Sequence, residues 1–461
     1  GDNLTLTWFK DFFVGQNYTF EYEFDAPDLS PYLYTLGPLQ IGNFSEAREW
    51  MILGDVLSNG ALAFVNPTPA NGDWITQQNA VINAKITNSS MLSSVNWIWN
   101  GTSNVIYNNS LLLGLNLNQI ATLGETAQLA VDLSNNQQNG TIYGAAYTAN
   151  GRYNGAYTFD GINDYIGFVS TNVHRPNQFT IASWVNVNSW NNKAGIFHNL
   201  KWAGNNCQGY SLSTNSDGNY YLYIDDLNGC AFINVTGQSG WHYLTGTFDG
   251  STMRLYVDGI ERANAPTGLT YSSQNSLCIG QFCDGNTHYW FNGTIDEVQF
   301  YNRPLSIAEI EQQYRSNLNK YDTDKWNFYV NQTKNTTAGL DWDAYTYQLS
   351  AVNGNSSGST EIRTLTVSAL KASESNGPER TNVGGMAPAQ LNSMANFTLN
   401  YNAKGKIRWL VPLNLTGPNV GDDSDIDNDV EIQLGWLSIN STSAPGLNQP
   451  ANITLENVDC S

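Results

Sequence analysis

The stretch WHYLTGTFDGSTMRLYVDG (241–259) alternates apolar and polar residues on both sides of a DGST turn. FTIASWVNV (179–187), YSLST (210–214) and YYLYID (220–225) alternate in the same way. Alternation of period two is typical of strands that bury one face, and several short strands at regular spacing indicate a sandwich or a jelly roll. We therefore predict that the centre of the chain is all-β.

The segment that follows contains the clearest helical pattern in the chain. GTIDEVQFY (293–301) is predicted to be a strand that runs into a helix at about 306–318. Ser306 and Glu309 have the spacing of a capping box, in which each side chain satisfies a free backbone N–H of the other residue. The apolar stripe of this helix consists of Ile307, Ile310, Tyr314 and Leu318.

Four stretches together resemble a known family. They are FDGINDYIGF (159–168), FTIASWV (179–185), WHYLTGTFDGSTMRLYVDG (241–259) and GTIDEVQFYNRPLSIAEI (293–310). In this order and spacing they resemble the laminin-G-like, concanavalin-A-like jelly roll. The resemblance implies a central jelly roll, to which we assign residues 104–321.

The segments on either side of the jelly roll read as two halves of one domain. Residues 66–103 resemble the first strands of an immunoglobulin-like sandwich, and residues 322–369 resemble its last strands. Neither half can bury a core alone, but together they have the size of an ordinary sandwich. We predict a split Ig-like domain that carries the jelly roll as an insertion. The alternative is a series of small domains in tandem.

The ends of the chain also have strand-like patterns. Residues 1–65 are predicted to be an N-terminal β segment that forms a partial sandwich, and residues 370–461 a C-terminal β-sandwich segment. The predicted fold class is therefore all-β, with several β-sandwiches around a central concanavalin-A-like jelly roll. This layout resembles large archaeal cell-surface proteins.

Composition excludes several classes of partner. The 461 residues are 41% hydrophobic but only 13% charged, with a net charge of -20. Such an acidic chain lacks the clustered Lys and Arg that nucleic acids or anionic membranes require. No apolar stretch reaches the roughly 18 residues of a membrane span. There is no initiator Met and no signal peptide, so we expect a processed product or a fragment.

Potential N-glycosylation sites are spread over the whole chain, and with the low charge they favour an exported, extracellular glycoprotein at the cell surface. The sixteen N-x-S/T acceptors without Pro are Asn3, Asn17, Asn43, Asn88, Asn100, Asn108, Asn139, Asn234, Asn292, Asn331, Asn335, Asn355, Asn396, Asn414, Asn440 and Asn452.

The five cysteines fit an exported protein, in which thiols are normally oxidised. Cys207 and Cys230 flank a predicted hairpin, and Cys278 and Cys283 flank a short turn. We predict a disulfide within each pair. Cys460 has no assigned partner.

Patterns typical of catalysis are absent from the sequence. Glucanases of this superfamily carry E-x-D-x-x-E on one strand, and no such motif occurs here. No G-x-S-x-G motif occurs, and no nucleophile motif lies near His174, His198, His242 or His288. We expect that the protein is not an enzyme.

Calcium is the one cofactor that the resemblance implies, since jelly rolls of this type often hold a structural calcium with oxygen ligands. The candidate ligands are Asp160, Asp296 and Asp164. Under the alternative interpretation, Asp160 and Asp296 cap turns and accept hydrogen bonds from backbone amides. No other cofactor is implied.

Sugar recognition is a second candidate activity. Aromatic rings stack on the apolar faces of sugars, and loops at the rim of lectin-like jelly rolls often supply them. The candidates here are Trp190, Trp202, His288 and Trp290. Alternatively, these aromatic residues form contacts between domains or subunits.

The terminal strands suggest how copies of the chain associate. In LTLTWF (4–9), Leu4, Leu6 and Trp8 lie on one face, and ANITLENV (451–458) is also strand-like. An apolar strand at a sheet edge is a template for pairing with another chain. We predict a secreted structural surface protein, an adhesin or a filament subunit, whose copies join by strand addition. The alternatives are that both termini pack within one chain or that a longer protein was trimmed, and the rival function is a carbohydrate-binding, lectin-like module for surface glycans.

Overall fold

The computed structural model describes the strands at 33–36, 39–41, 44–46 and 50–53. It then describes residues 61–456 with gaps at 88, 90, 204–205, 226–228, 272–275, 283–288, 355, 421–423 and 434–435. The chain divides into two units, Gly1–Val56 and Leu57–Ser461. Strands dominate the described residues, which confirms the all-β class. None of the helices in the described part is long and apolar enough to cross a membrane.

The first unit contributes two hairpin-like pairs, one nested inside the other. Its strands are β1 (Leu33–Leu36), β2 (Leu39–Ile41), β3 (Phe44–Glu46) and β4 (Trp50–Leu53). β1 pairs with β4 and β2 pairs with β3, both antiparallel. The predicted strand at 4–9 lies outside the described residues.

The second unit begins with the strands of a sandwich: β5 (Leu62–Val65), β6 (Asp73–Ile75), β7 (Ala80–Ile86), β8 (Ser94–Trp99) and β9 (Thr102–Asn108).

The jelly roll follows, and its described residues form eighteen strands. They are β10 (Leu111–Leu115), β11 (Leu129–Ala130), β12 (Gly140–Tyr143), β13 (Ala146–Thr148), β14 (Ala156–Asp160), β15 (Tyr165–Gly167), β16 (Phe179–Ser189), β17 (Ala194–Ala203), β18 (Asn206–Thr214), β19 (Asn219–Asp225), β20 (Cys230–Thr236), β21 (Trp241–Phe248), β22 (Thr252–Val257), β23 (Ile260–Pro266), β24 (Cys278–Ile279), β25 (Gln281–Phe282), β26 (Tyr289–Trp290) and β27 (Asn292–Tyr301).

Two eight-stranded sheets of the jelly roll face each other. One has the order β13-β14-β27-β16-β21-β22-β23, with β10 also on β27, and the other has the order β11-β12-β15-β24-β17-β18-β19-β20. Alternate side chains from both sheets fill the space between them, among them Phe179, Phe197, Tyr210 and Phe300, all fully buried. This interdigitation is what the alternation in the sequence predicts.

Helix α1 (Ile307–Arg315) covers part of the outer face of the first sheet. Its predicted capping box is present, with Ser306 Oγ and Glu309 exchanging hydrogen bonds with each other's backbone N–H. The predicted extension of the helix to 318 is wrong. The backbone turns extended at Ser316, because Leu318 and its neighbours pair with a strand of the sandwich.

After the jelly roll the chain returns to the sandwich through β28 (Ser316–Asp322), β29 (Lys325–Gln332), β30 (Ala344–Asn353), β31 (Ser356–Ser359) and β32 (Arg363–Val367). One sheet has the order β28-β29-β7-β5, and the other the order β6-β32-β30-β8-β9, with β31 on β30. Strands from before and after the jelly roll therefore lie side by side. The β7–β29 ladder places Ile82 opposite Val330 and Ala84 opposite Phe328.

The sandwich has one core, centred on Trp97. Its indole is fully buried, packs against Phe328 and Tyr347, and donates from Nε1 to Gln332 Oε1 at 2.8 Å. Trp97 and Gln332 are 235 positions apart in the sequence. This hydrogen bond thus ties together the two segments that flank the jelly roll.

The strand bounds differ from the predicted domain boundaries. β5 pairs with β7 although it lies in the predicted N-terminal segment, and β28 pairs with β29 although it lies in the predicted jelly roll. β9 pairs with β8 and runs five residues past the predicted boundary at 103. The division into four domains, and the Ig-like character of the sandwich, stay predictions.

The C-terminal part packs around a third core. Its elements are α2 (Pro388–Leu391), β33 (Thr398–Tyr401), β34 (Gly405–Trp409), β35 (Val430–Gln433), β36 (Trp436–Ile439) and β37 (Ala451–Leu455). One sheet has the order β33-β34-β37, and β35 pairs with β36. Trp409 lies fully buried at the centre, and Trp74 of the sandwich packs on this core. Short 3-10 helices occur at Ala121–Leu123, Asn172–His174, Gly417–Val420, Ile426–Asn428 and Pro445–Leu447.

Replacing Trp97 by Ala tests whether the two flanking segments share one core. The substitution leaves a large cavity and an orphaned Gln332, so we expect the free energy of unfolding to fall by about 3–5 kcal/mol. Urea unfolding followed by circular dichroism measures the loss. Trp436, which is 46% exposed, is the matched control, and its replacement by Ala should cost less than about 1 kcal/mol. Equal losses for the two variants would contradict the shared core.

Candidate functional site

Within the described part of the chain, the three-stranded sheet of the C-terminal part ends at β37. Among the described residues β37 pairs only with β34. Ile453 stands directly opposite Ile407, so both side chains point to the same face of the sheet. Ile407 is fully buried in the core, whereas Ile453 is 52% exposed. The apolar face of this sheet therefore continues past its last strand.

The backbone of β37 also faces outward at this point. Leu410 N–H donates to Pro450 O at 2.8 Å, and Glu456 N–H donates to Lys404 O at 3.0 Å. Hydrogen-bonding positions recur at every second residue of an antiparallel pair. The even-numbered residues of β37 therefore bond to β34, and Ile453 directs its N–H and C=O away from it. No described residue pairs with these two groups, which gives the geometry of a strand acceptor.

A second exposed feature lies on the outer face of the jelly roll. The rings of Tyr221 and Tyr223 on β19 stack at 5.3 Å and 9°. Phe232, on the neighbouring edge strand β20, lies 5.5 and 5.7 Å from them. The two tyrosines are buried, but Phe232 is 52% exposed. This aromatic row ends in one ring that is open to solvent.

Trp190, a predicted sugar-binding residue, packs within the jelly roll. Its ring lies 5.2 Å from that of Tyr220. It also covers the backbone of Gly237, where an added Cβ would lie 1.8 Å from the indole. Much of the ring is therefore occupied, and a glycine is required beneath it.

The other predicted sugar-binding residues are placed only in part. Trp290 is half-buried, 5.8 Å from the ring of Tyr165, and its carbonyl accepts from Asn191 Nδ2 at 3.0 Å. Trp202 lies in β17, but its side chain is outside the described part, as is the whole of His288. The proposed role of these four residues in sugar binding stays a prediction.

The candidate calcium ligands divide into two places. Asp160 and Asp164 are close together, because Asp160 N–H donates to Asp164 Oδ2 at 2.9 Å. Asp160 Oδ1 accepts from the N–H groups of Ile162 and Asn163 at 2.7 and 3.3 Å. Asp160 lies opposite Asn292, four residues from Asp296 on β27, which is roughly 13 Å along a strand.

Asp296 occupies a separate, fully buried position. Its carboxylate accepts from Tyr153 N–H at 2.9 Å and from Glu297 N–H at 2.8 Å. Burial raises the pKa of Asp296 to about 8, although these backbone donors act in the opposite direction. The three aspartates therefore do not converge on one site. The part of the chain that the structure describes holds no cluster of three or more His, Cys, Asp or Glu side chains suited to a metal ion.

A groove of about 560 Å³ opens at one end of the jelly roll. Its lining includes Gln178, Phe248 and Asn302, and neither Trp190 nor Trp290 takes part. Gln178 Nε2 donates to Asp249 O at 2.6 Å, which holds two of its walls together. The lining contains no carboxylate, histidine or other acid–base group.

The cysteines and the acceptor asparagines can be compared with their predicted roles. Cys230 and Cys278 are both disulfide-bonded. The side chain of Cys207 and the whole of Cys283 and Cys460 lie outside the described part, so the predicted pairing stays a prediction. Every acceptor asparagine that the structure describes is exposed or half-buried, which is the placement that glycosylation requires.

Comparison with known proteins identifies the central domain. Residues 160–311 match the family model of the concanavalin A-like lectin/glucanases superfamily. This confirms the predicted jelly roll, over about a third of the chain. No curated protein sequence matches the chain. The Ig-like insertion and the resemblance to archaeal surface proteins are not addressed by this match.

Three solved structures resemble this chain at low identity. Domain 4 of the extracellular arabinanase AbnA from Geobacillus stearothermophilus, in complex with arabinotriose, is 20% identical, with a TM-score of 0.34, and the match covers 43% of this chain and 96% of that one. Trypanosoma rangeli sialidase in complex with sialic acid is 13% identical, with a TM-score of 0.37 and coverages of 46% and 34%. The botulinum neurotoxin type G receptor binding domain is 16% identical, with a TM-score of 0.34 and coverages of 44% and 50%. The chain thus spans no more than half of the last two, and TM-scores of this size support no inference about function.

The open edge and the exposed Phe232 could not be found from sequence. Edge strands and central strands alternate alike, so the pattern at 451–458 did not reveal that Ile453 is uncovered. An aromatic residue two positions before an acceptor asparagine does not predict exposure either, because Trp290 and Tyr329 have the same spacing and are half-buried.

The buried His174 should make the jelly roll less stable at acidic pH. It is 1% exposed, and neither ring nitrogen has a hydrogen-bond partner among the described residues. Burial, with the nearby Arg175 charge, lowers the pKa of His174 from 6.5 to about 4. The unfolded chain therefore binds the extra proton first, and stability should fall by about 3 kcal/mol as pH drops from 6.5 to 4.

Comparison with His174→Phe isolates this effect, because the other titrating groups are common to both proteins. We expect the variant to lose less stability than the wild type over that pH interval in urea unfolding experiments. Identical pH profiles would rule out His174 as the source.

Proposed function

We propose that the protein is a secreted, glycosylated structural surface protein, an adhesin or a filament subunit, whose copies join by β-strand addition. The open edge at β37 carries this proposal. It combines outward backbone N–H and C=O groups with an apolar side chain, Ile453, that continues the core face. A strand that pairs with this edge would form hydrogen bonds with these backbone groups and bury the side chain of Ile453.

A strand of suitable pattern is encoded in the same chain. LTLTWF (4–9) alternates, so that Leu4, Leu6 and Trp8 share one face. If this strand adds to β37 of a second copy, each copy offers one donor and one acceptor. Such a contact is heterologous, and repeated it produces an open filament rather than a closed dimer. The proposal requires no cofactor and no catalytic step.

The low charge and the many acceptor asparagines are consistent with a place outside the cell. With 13% charged residues, the surface obtains its polarity from amides, hydroxyls and, in this proposal, attached sugars. Exposed asparagines occur on all three parts of the second unit, for example Asn100, Asn234 and Asn414.

Replacing Ile453 by Asp tests the acceptor edge. The carboxylate would sit where the donor's apolar side chains must pack, so assembly should be lost while the subunit stays folded. Negative-stain electron microscopy and analytical ultracentrifugation report assembly, and thermal unfolding reports the fold. Ile362→Asp is the matched control, since Ile362 is 62% exposed in a loop of the sandwich, and it should assemble normally.

The donor side is tested by replacing Leu4, Leu6 and Trp8 together with Asp. This variant should also be monomeric. Mixing it with the Ile453→Asp variant should give dimers and no longer species, because one functional donor and one functional acceptor remain. Normal assembly of both variants, or a wild-type protein that is monomeric at high concentration, would refute the proposal.

The second candidate is a carbohydrate-binding module. The family match over residues 160–311 and the solvent-exposed ring of Phe232 favour it. Binding of one defined sugar on a glycan array, lost in Phe232→Ala or Trp290→Ala, would support this alternative.

A further inference from the structure

Strand β20 carries an aromatic residue and an acceptor asparagine on the same face. Its sequence is CAFINVT (230–236). Ala231, Ile233 and Val235 point into the jelly-roll core. Phe232 and Asn234 alternate with them, point outward and are exposed, as is Thr236. The aromatic ring, the acceptor amide and the hydroxyl that completes the acceptor motif thus form one outward row.

The neighbouring strand fixes the position of this row. Tyr223 lies opposite Phe232, and Tyr221 lies opposite Asn234. Both tyrosines are buried, and Tyr221 OH donates to Asp217 Oδ2 at 2.5 Å. One side of the Phe232 ring therefore packs against the two buried tyrosine rings, and the other side faces solvent. Phe232 is 52% exposed, and no described residue covers this part of its ring.

The spacing suits an attached sugar. Side chains at positions i and i+2 of a strand project from the same face about 7 Å apart. A pyranose ring linked to Asn234 Nδ2 can therefore lie over the phenyl ring. The C–H groups on one face of a pyranose carry partial positive charge, and the face of an aromatic ring is negative. Contact between them also removes exposed apolar surface from water.

We propose that an N-linked glycan is attached to Asn234 and that its first sugar packs on Phe232, which thereby favours this site and stabilises the edge strand. This inference rests on the export and glycosylation in the proposed function. Attachment forms a bond between Asn234 Nδ2 and the anomeric carbon of a polyisoprenyl-diphosphate oligosaccharide. The bond from that carbon to the phosphate oxygen breaks, the lipid diphosphate leaves, and the amide nitrogen loses a proton.

Two other acceptor asparagines have an aromatic residue two positions before them, but their surroundings differ. Asn292, after Trp290, uses its Nδ2 to donate to Asp160 O at 2.9 Å. Asn331 accepts from Asn79 Nδ2 at 2.9 Å, and the preceding Tyr329 packs 5.8 Å from the ring of Tyr153. The amide of Asn234 makes no hydrogen bond with any described residue. Asn234 therefore combines a free amide with an uncovered ring.

The glycan would also protect the sheet. β20 is the last strand of its sheet among the described residues. An uncovered edge beside an exposed phenylalanine is a risk for aggregation. A sugar over Phe232 covers the apolar patch, so the jelly roll would end in a blocked edge while β37 stays open.

The test uses the full chain secreted from a eukaryotic host, with glycans trimmed enzymatically to a single N-acetylglucosamine. Mass spectrometry measures occupancy at Asn234 and at the exposed Asn414, which has no aromatic residue two positions before it. We expect at least a twofold loss of occupancy at Asn234 in Phe232→Ala, no change at Asn414, and recovery in Phe232→Tyr.

A thermal double-mutant cycle measures the contact itself. Phe232→Ala should lower the unfolding midpoint by several degrees more in the glycosylated protein than in a Thr236→Ala background, which cannot accept the sugar. Equal effects in the two backgrounds overturn the inference. An unoccupied Asn234 together with an occupied Asn414 overturns it as well and leaves the proposed function intact. Absence of sugar from every acceptor overturns both. If the subunits do not assemble but the contact between Phe232 and the sugar on Asn234 is measured as expected, only the proposed function is refuted.

Discussion

Backbone N–H and C=O groups along a sheet edge need partners, and this constraint organises the molecule. In the sandwich it is met by strands that lie more than two hundred positions apart: β7 pairs with β29 along its whole length. The two flanking segments therefore need each other to complete their sheet. The hydrogen bond from Trp97 to Gln332 also links them within the core. The jelly roll lies between them in the sequence, and its strands β10 and β27 pair with each other. At β37 the same constraint is not met within the described part of the chain.

Much of the fold could be predicted from the sequence, because burial of one strand face leaves a period of two. The jelly-roll strands were found in this way, and the capping box of α1 was found from the spacing of Ser306 and Glu309. The boundaries were harder to predict, because β5, β9 and β28 alternate no differently from the strands beside them. The helix was predicted too long because Leu318 fits the apolar pattern of a helix as well as that of a strand. In the structure Leu318 belongs to a strand, because its segment pairs with β29. Which edge lies open depends on pairing over long distances, which periodicity does not encode.

The candidate sites depend on which strands pair, and the sequence pattern does not encode this pairing. Motif resemblance picks out Asp160 in β14, Asp164 just before β15 and Asp296 in β27, but distance along a strand separates the last from the other two. Asp296 instead satisfies backbone amides beside a β-bulge, where Glu297 has a positive φ of 49°. Trp190 could be read as a ligand contact from sequence alone, yet its ring fills the space over Gly237. Exposure, which decides the roles of Ile453 and Phe232, becomes visible only after the sheets are assembled.

Strand addition at β37 is tested most directly by cross-linking between subunits. Ile453→Cys protein would be mixed with Leu4→Cys, Leu6→Cys or Trp8→Cys protein under oxidising conditions. Because the outward N–H and C=O of Ile453 would bond to the donor strand, residue 453 and the donor residue opposite it would form a hydrogen-bonded pair. In such an antiparallel pair the Cα atoms lie about 5.5 Å apart, within reach of a disulfide. The account predicts a rapid, reducible heterodimer for one of the three donor positions, and none with Ile362→Cys in place of Ile453→Cys. If no donor position cross-links to residue 453, or if 362 reacts equally well, β37 is not the acceptor.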